Sequence, residues 1–219
     1  MVQHYNQEIT LARWAFYDFF SKIFYQPEED MLDETFARLI WEANQKYPAV
    51  DDRKVSEFCD LLETIEDTQE LLVEYSKMFV GPSKLTAPPY GSYYLDKGQV
   101  MGKSTMAVKD CYGEAGFRVL DQVKEPPDHI AIEMNFLAQL TEREYQYLES
   151  GDQDQATRVL NMAGAFYLRH PANWVKEFAQ KILDGTHHQF YAYGATFLLG
   201  FHHREIDFYQ AALAGKKST

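Results

Sequence analysis

Apolar residues recur at helical rather than alternating intervals over nearly the whole chain, and this spacing limits its folds more than any other feature. Ile9, Ala12, Phe16, Phe19, Phe20 and Ile23 fall on one face of a first helix. Pro27 stands where a second is expected to begin, with Glu28, Glu29 and Asp30 suited to its positive end and Leu32, Phe36, Leu39 and Ile40 as its apolar stripe. The same period predicts helices from about Asp52 to Ile65 and from about Thr68 to Phe79. It returns after Ser104, the expected N-cap, and fades near Gly113 to Gly116. Further helices are expected from Asp128 to about Glu149, Asp154 to Arg169, Ala172 to Leu183 and His188 to Gln210. No stretch alternates with period two, so a sheet is not expected. The fold class is therefore all-α, a helical bundle of about nine to ten helices in two parts.

Two stretches break the pattern, 80–104 and 117–127, both rich in Pro or Gly. Proline removes a backbone donor and glycine frees the backbone, so neither continues a helix. They read as connections inside one bundle: a single all-helical domain over 1–219, with an N-terminal part of about 1–116, a hinge at 117–127 and a C-terminal part at 128–219.

Charge and cysteine content narrow the function. The chain has 33 Asp and Glu against 21 Lys and Arg, a net charge of -12, and no local basic patch. Nucleic acid is excluded as a partner on that ground, and a basic ligand would be attracted. Cys59 and Cys111 stand alone and fit a reducing compartment. The start, Met1 to Tyr5, lacks a basic region followed by an apolar run, so no export signal is expected. The longest apolar runs, such as Ala195 to Phe201, fall far short of the roughly 20 residues a membrane helix needs. The expected protein is cytoplasmic and does not span a membrane.

Two constellations could carry chemistry. In Pro88-Pro89-Tyr90-Gly91-Ser92-Tyr93-Tyr94, a semi-rigid loop could hold tyrosines at a surface to grip a peptide, or pack them on the core. In Glu125-Pro126-Pro127-Asp128-His129 through Glu133, the prolines fix a helix start at which Asp128 can accept hydrogen bonds from free amides. His129 and Glu133, four residues apart, share a helix face. They form either an acid/base or metal-binding pair or a capped helix with an exposed ion pair. The pairs His187-His188 and His202-His203 point about 100° apart along a helix and rarely chelate together. No nucleotide-loop, dinucleotide or nucleophile-elbow motif occurs, so neither a catalytic residue nor a cofactor is expected.

Three motifs in order, Glu74-Tyr75 through Pro82, Pro88 through Tyr94, and Glu125-Pro126 through Phe136-Leu137, resemble the TorD/DmsD family of redox-enzyme maturation chaperones. The resemblance implies an all-helical, non-enzymatic protein. Its partners would be the twin-arginine signal peptide and the precursor of a molybdopterin oxidoreductase, held until cofactor insertion precedes export. By that likeness Tyr90, Ser92, Tyr93, Asp128 and His129 fall on peptide-binding positions, and Glu125, Glu133, Pro88 and Pro89 complete the candidate set. Gly91 departs from the family, whose members often carry a larger residue there. A sibling reading is a chaperone of the NarJ type for a reductase subunit that is not exported, or a chaperone of another cytoplasmic metalloprotein. A reading of another class is a helical metal-dependent hydrolase using His129, Glu133 and the later histidines. The expected assembly is a monomer or homodimer.

Overall fold

A computed structural model describes residues 6–28, 34–81 and 85–214. Among them are ten α-helices and no sheet: α1 Gln7–Ile23, α2 Glu34–Lys46, α3 Asp52–Thr64, α4 Gln69–Tyr75, α5 Gly91–Leu95, α6 Lys103–Glu114, α7 Ile130–Glu149, α8 Gln153–Arg169, α9 Val175–Gly185 and α10 Gln189–Ala214. A π-helical turn, Ser76–Val80, extends α4, and a 3₁₀ turn, Pro171–Asn173, precedes α9. None of these helices is long and apolar enough to cross a membrane.

The helical period places the core. All six apolar residues assigned to the first helix face are buried in α1. That face packs along α7, with α2 and α10 beside it; α7 also packs on α8, and α10 on α9, α8 and α3. Phenylalanines fill the seams. Phe16 stacks on Phe201 at 4.9 Å between centroids, Phe19 on Phe36 at 4.9 Å, and Phe24 meets Phe178 edge-on at 5.3 Å. Such pairs add about 0.5–1.5 kcal/mol each beyond the area they bury. Gly200 on α10 lets the chain after α2 come close, since a Cβ there would stand 2.1 Å from the Ala49 carbonyl oxygen.

One polar node is buried inside this aromatic core. Arg13 on α1 is fully enclosed; its Nε and Nη2 donate to Glu205 on α10 at 2.9 and 3.1 Å, and Nη1 lies 3.5 Å from Glu144 on α7. The hydroxyls of Tyr17 and Tyr47 donate to the Glu205 carboxylate, and Thr10 donates to Glu144 at 3.0 Å. The guanidinium also lies over the Phe208 ring, 4.2 Å from its centroid. Burial alone would disfavour the charge on Arg13, but Glu205 and the other acidic groups around it hold it firmly protonated. Burial pushes the Glu144 carboxyl above the usual carboxylate range, against the pull of Arg13.

Several helix starts differ from the sequence expectation. Pro27 and Glu28 lie outside any helix, and the described part of α2 begins at Glu34; Glu29, Asp30 and Leu32 lie outside the described residues, as does Pro82 of the first motif. The break at 80–104 contains the helix α5, for which no periodic signal exists because it is only five residues long. Ser104 lies inside α6, not at its cap. The cap is Gly102, and Asp96 supplies the acceptors, taking hydrogen bonds from the Ser104 N–H and hydroxyl at 2.8 Å each. A side chain at position 102 would collide with that carboxylate, its Cβ 2.3 Å from Oδ2. At the start of α7 the cap is His129 rather than Asp128.

Removing one partner of a buried ion pair leaves the other charge unpaired. Arg13→Ala is therefore expected to cost about 3–5 kcal/mol. Arg38→Ala, which removes an exposed Arg38–Glu42 pair at 4.0 Å, should unfold with the wild type. Urea unfolding of the two variants measures the contrast, and equal midpoints would show that the node contributes nothing special.

Candidate functional site

The second and third motifs, Pro88 to Tyr94 and Glu125 to Leu137, with α6 between them in sequence, close on each other. Tyr90 and His129 form an isolated antiparallel bridge, with the Gly91 N–H donating to the Asp128 carbonyl at 2.9 Å and the Ile130 N–H to the Pro89 carbonyl at 2.8 Å. Prolines have no N–H to leave unsatisfied, so Pro88 and Pro89 can be buried, the Pro89 carbonyl accepting from Ile130. The Asp128 carboxylate reaches across this clasp and accepts from the Ser92 N–H at 2.7 Å, in the first turn of α5, whose own cap residue Tyr90 offers no side-chain bond. The Tyr90 hydroxyl donates to Glu125 at 3.0 Å, and the Tyr112 hydroxyl to the Pro127 carbonyl at 2.9 Å. All nine candidate residues therefore sit in or beside one clasp.

Their exposure divides them. Ser92, Asp128, His129 and Glu133 are buried, at no more than 1% exposed, whereas Tyr90, Tyr93 and Glu125 are only partly covered. His129 caps α7 by accepting the Ala131 N–H at its Nδ1, 3.2 Å away, and burial lowers its pKa from 6.5 to about 3. Burial, and then the neighbouring Asp128, raise the Glu133 pKa well above 4.5. The nearby Trp174 indole pulls the other way but reaches no hydrogen-bond geometry with it. The exposed His129–Glu133 ion pair of the sequence reading does not form, because both groups are enclosed and burial favours their neutral forms.

Gly91 makes this packing possible. A Cβ there would lie 3.0 Å from Trp174 Nε1 and 3.3 Å from Glu133 Oε1. Tyr94 stacks on the same indole, with centroids 5.4 Å apart. Trp174 thus floors the clasp, a role that its place 46 residues after Asp128 gives no means to foresee.

Beside the clasp runs a groove of about 720 Å³ between the end of α1, the start of α2, the 117–123 segment and α7. Its apolar lining includes Tyr25, Phe36, Phe117, Leu120, Ile132 and Phe136. The volume falls within the ~300–1,000 Å³ usual for binding pockets. Tyr25 joins groove to clasp, its ring 6.0 Å from that of His129. The signal for this surface was present in the sequence as Val119, Leu120 and Val123, apolar residues in a segment without helical period.

The histidine pairs lie elsewhere. His202 is buried and shares a 3.0 Å hydrogen bond with the Tyr167 hydroxyl, burial chiefly lowering its pKa to about 4, while His203 and His187 are exposed. Among the described residues no group of three or more His, Cys, Asp or Glu is placed to hold a metal.

Residues 44–180 match the family model described as nitrate reductase delta subunit. The chain is 30% identical over 149 residues to the chaperone protein TorD of Aliivibrio salmonicida, covering 67% of this chain and 68% of that protein. The chain belongs to the TorD/DmsD family of redox-enzyme maturation chaperones. TorD of Vibrio cholerae is 28% identical over 153 residues, 68% of each chain, and TorD of Vibrio parahaemolyticus is 25% identical over 206 residues, 91% of this chain and 94% of its own. A solved structure from Archaeoglobus fulgidus, described as a candidate redox enzyme maturation protein, shares the fold with a TM-score of 0.53 and 24% identity over 90% of this chain and 93% of that one. TorD-family proteins are chaperones, a non-catalytic class, so the hydrolase reading falls.

The raised pKa of Glu133 has a consequence for stability. A carboxyl whose folded pKa is raised stabilises fully below its unfolded value, near 4.5, and that contribution is lost as pH rises through the folded value. Glu133→Gln removes this loss, so its melting temperature relative to wild type should rise from pH 5 to pH 8. His129 acts oppositely, weakening the fold as pH falls from about 6.5 toward about 3, but it is common to both proteins and cancels in the comparison. A pH-independent difference between the two melting curves would show that Glu133 is ionised when folded.

Proposed function

We propose that this TorD-family chaperone works in the cytoplasm and binds the twin-arginine signal peptide of a molybdopterin oxidoreductase precursor, holding it until cofactor insertion is complete. The observation that carries the reading is the apolar groove set directly against the motif clasp. A signal peptide joins paired arginines to an apolar stretch. The groove offers aromatic and aliphatic side chains to the apolar stretch. Glu125, partly covered and already accepting from Tyr90, offers a carboxylate to a guanidinium, and the net charge of -12 attracts the basic end from a distance. The 117–123 wall belongs to the segment assigned as the hinge, so movement there would widen or close the groove while the helices on either side keep their packing.

The match to a model described as nitrate reductase delta subunit favours a second reading, in which the client is the folded body of a reductase subunit that is not exported. The two differ in whether an isolated signal peptide suffices for binding.

A cognate peptide at about 100 times its dissociation constant adds about 2.7 kcal/mol of native stability. At about 2–4 °C per kcal/mol for a chain of this size, the melting temperature should rise by about 5–11 °C. Replacing both arginines by alanine should shrink that rise, since it removes charge-assisted hydrogen bonds. Leu120, about half exposed at 52%, tests the groove: Leu120→Asp should leave the unliganded melting temperature nearly unchanged and weaken binding about tenfold, the loss of one buried aliphatic contact. A peptide that performs no better than an unrelated basic control would favour the folded-body client.

A further inference from the structure

Asp128 and Ser92 belong to the motifs of a peptide-binding family, yet both are 0% exposed. Every contact that Asp128 makes is internal. Its Oδ2 accepts from the Ser92 N–H at 2.7 Å and its carbonyl from the Gly91 N–H at 2.9 Å, while Oδ1 is enclosed with no partner. Two of the first amides of α5, which its own cap leaves free, are thus held from the far side of the clasp. Ser92 passes the constraint on. Its hydroxyl oxygen accepts from the Met101 N–H at 3.1 Å and its carbonyl from the Asp96 N–H at 2.7 Å, and the Tyr93 carbonyl accepts from the Gly98 N–H at 2.8 Å.

The residue at the end of this relay is unusual. Met101 has φ of 61°, a left-handed conformation that non-glycine residues rarely adopt, and its side chain is 68% exposed. Lys97 in the same loop has φ of 57°. A loop with two such residues keeps its shape only when its surroundings impose it, and here Ser92 and Asp96 do so. Around this relay, Tyr90 and Tyr93 are partly exposed and Met101 is mostly so. Aromatic and thioether side chains adapt to varied apolar ligands.

We infer that Asp128 and Ser92 are positioning residues for client binding: Asp128 caps α5 from across the clasp, Ser92 relays that hold to Met101, and Tyr90, Tyr93 and Met101 meet the client while Asp128 and Ser92 do not touch it. This rests on the signal-peptide reading for its ligand, but not for the relay. It separates two roles that an alanine substitution confuses. If the carboxylate only accepts a hydrogen bond, an amide of the same shape can replace it; if its charge meets an arginine, no amide can.

The experiment compares Asp128→Asn, Asp128→Ala, Ser92→Ala and Met101→Ala by calorimetric titration with the signal peptide, and by amide hydrogen exchange without it. Asp128→Asn should keep affinity within about threefold of wild type and keep the Ser92 amide protected, since Asn retains the acceptor. Asp128→Ala should lose about tenfold in affinity together with protection at Ser92 and Met101. Ser92→Ala should lose protection at Met101 alone and weaken binding less, and Met101→Ala should weaken binding without altering exchange. Asp128→Asn binding as poorly as Asp128→Ala, with Ser92 still protected, overturns the inference and makes the charge itself the contact. Should Asp128→Ala fail to fold, the Asn and Ser92→Ala variants decide alone. A wild type that binds no peptide overturns the signal-peptide reading instead, and unchanged exchange at Met101 in Ser92→Ala would then overturn the relay.

Discussion

The enclosed Arg13 guanidinium fixes where everything else can go. It comes from the first turns of α1 and is satisfied by Glu205 from α10 and Glu144 from the far end of α7, with Tyr47 arriving from the end of α2 to complete the Glu205 shell. Four segments remote in sequence are thus required to meet within hydrogen-bond range of one point. A wholly apolar core of the same volume could be as stable, but it would accept small slides of one helix along another. A guanidinium with planar donors does not. Its fork fixes α1 against Glu205 of α10, and its third nitrogen, with the Thr10 hydroxyl, ties α1 to Glu144 of α7, the helix against which α1 packs most extensively among the described residues.

That arrangement is what makes the groove. Thr10 and Arg13, near the start of α1, meet Glu144 near the end of α7, while Tyr25, just past the end of α1, meets His129 at the start of α7. The two helices therefore run antiparallel, pinned at one end by ions and at the other by rings. Near the second pin the packing is looser: Tyr25, just past the end of α1, and Ile132 and Phe136, in the first two turns of α7, line an opening that the 117–123 segment only partly covers. The clasp of 88–92 on 125–130 then locks the start of α7, so the groove has one rigid wall and one irregular wall.

Periodicity made most of this legible. The buried faces of α1, α3 and α7 were readable because each repeats its apolar residues over several turns. What was not readable is local and short. α5 has too few residues to show a period, and its cap comes from a residue 36 positions away. α6 takes its cap from Asp96, because Gly102 leaves room for that carboxylate. Burial of the second and third motifs was equally hidden: a His and a Glu four residues apart look like an exposed pair until the segment that covers them, Gly91 and Ser92, is placed. Ordered motifs identified the family, yet they gave no information on which of their residues face solvent.

The distribution of charge follows from this burial. The motif carboxyl Glu133 and the motif imidazole His129 are both driven toward neutrality, so neither supplies the long-range field that a basic peptide would sense. On the proposed signal-peptide reading, attraction would come from the acidic residues left outside, and contact from groups that are partly open, Glu125 and Tyr90 among them. Neutral buried groups do something different: they hold backbone in place at little electrostatic cost, as His129 does for the Ala131 amide. On that reading, steering and shaping would fall to separate residues. A substitution in the clasp should alter the shape presented to a client at any ionic strength, whereas screening by salt reaches only the acidic exterior.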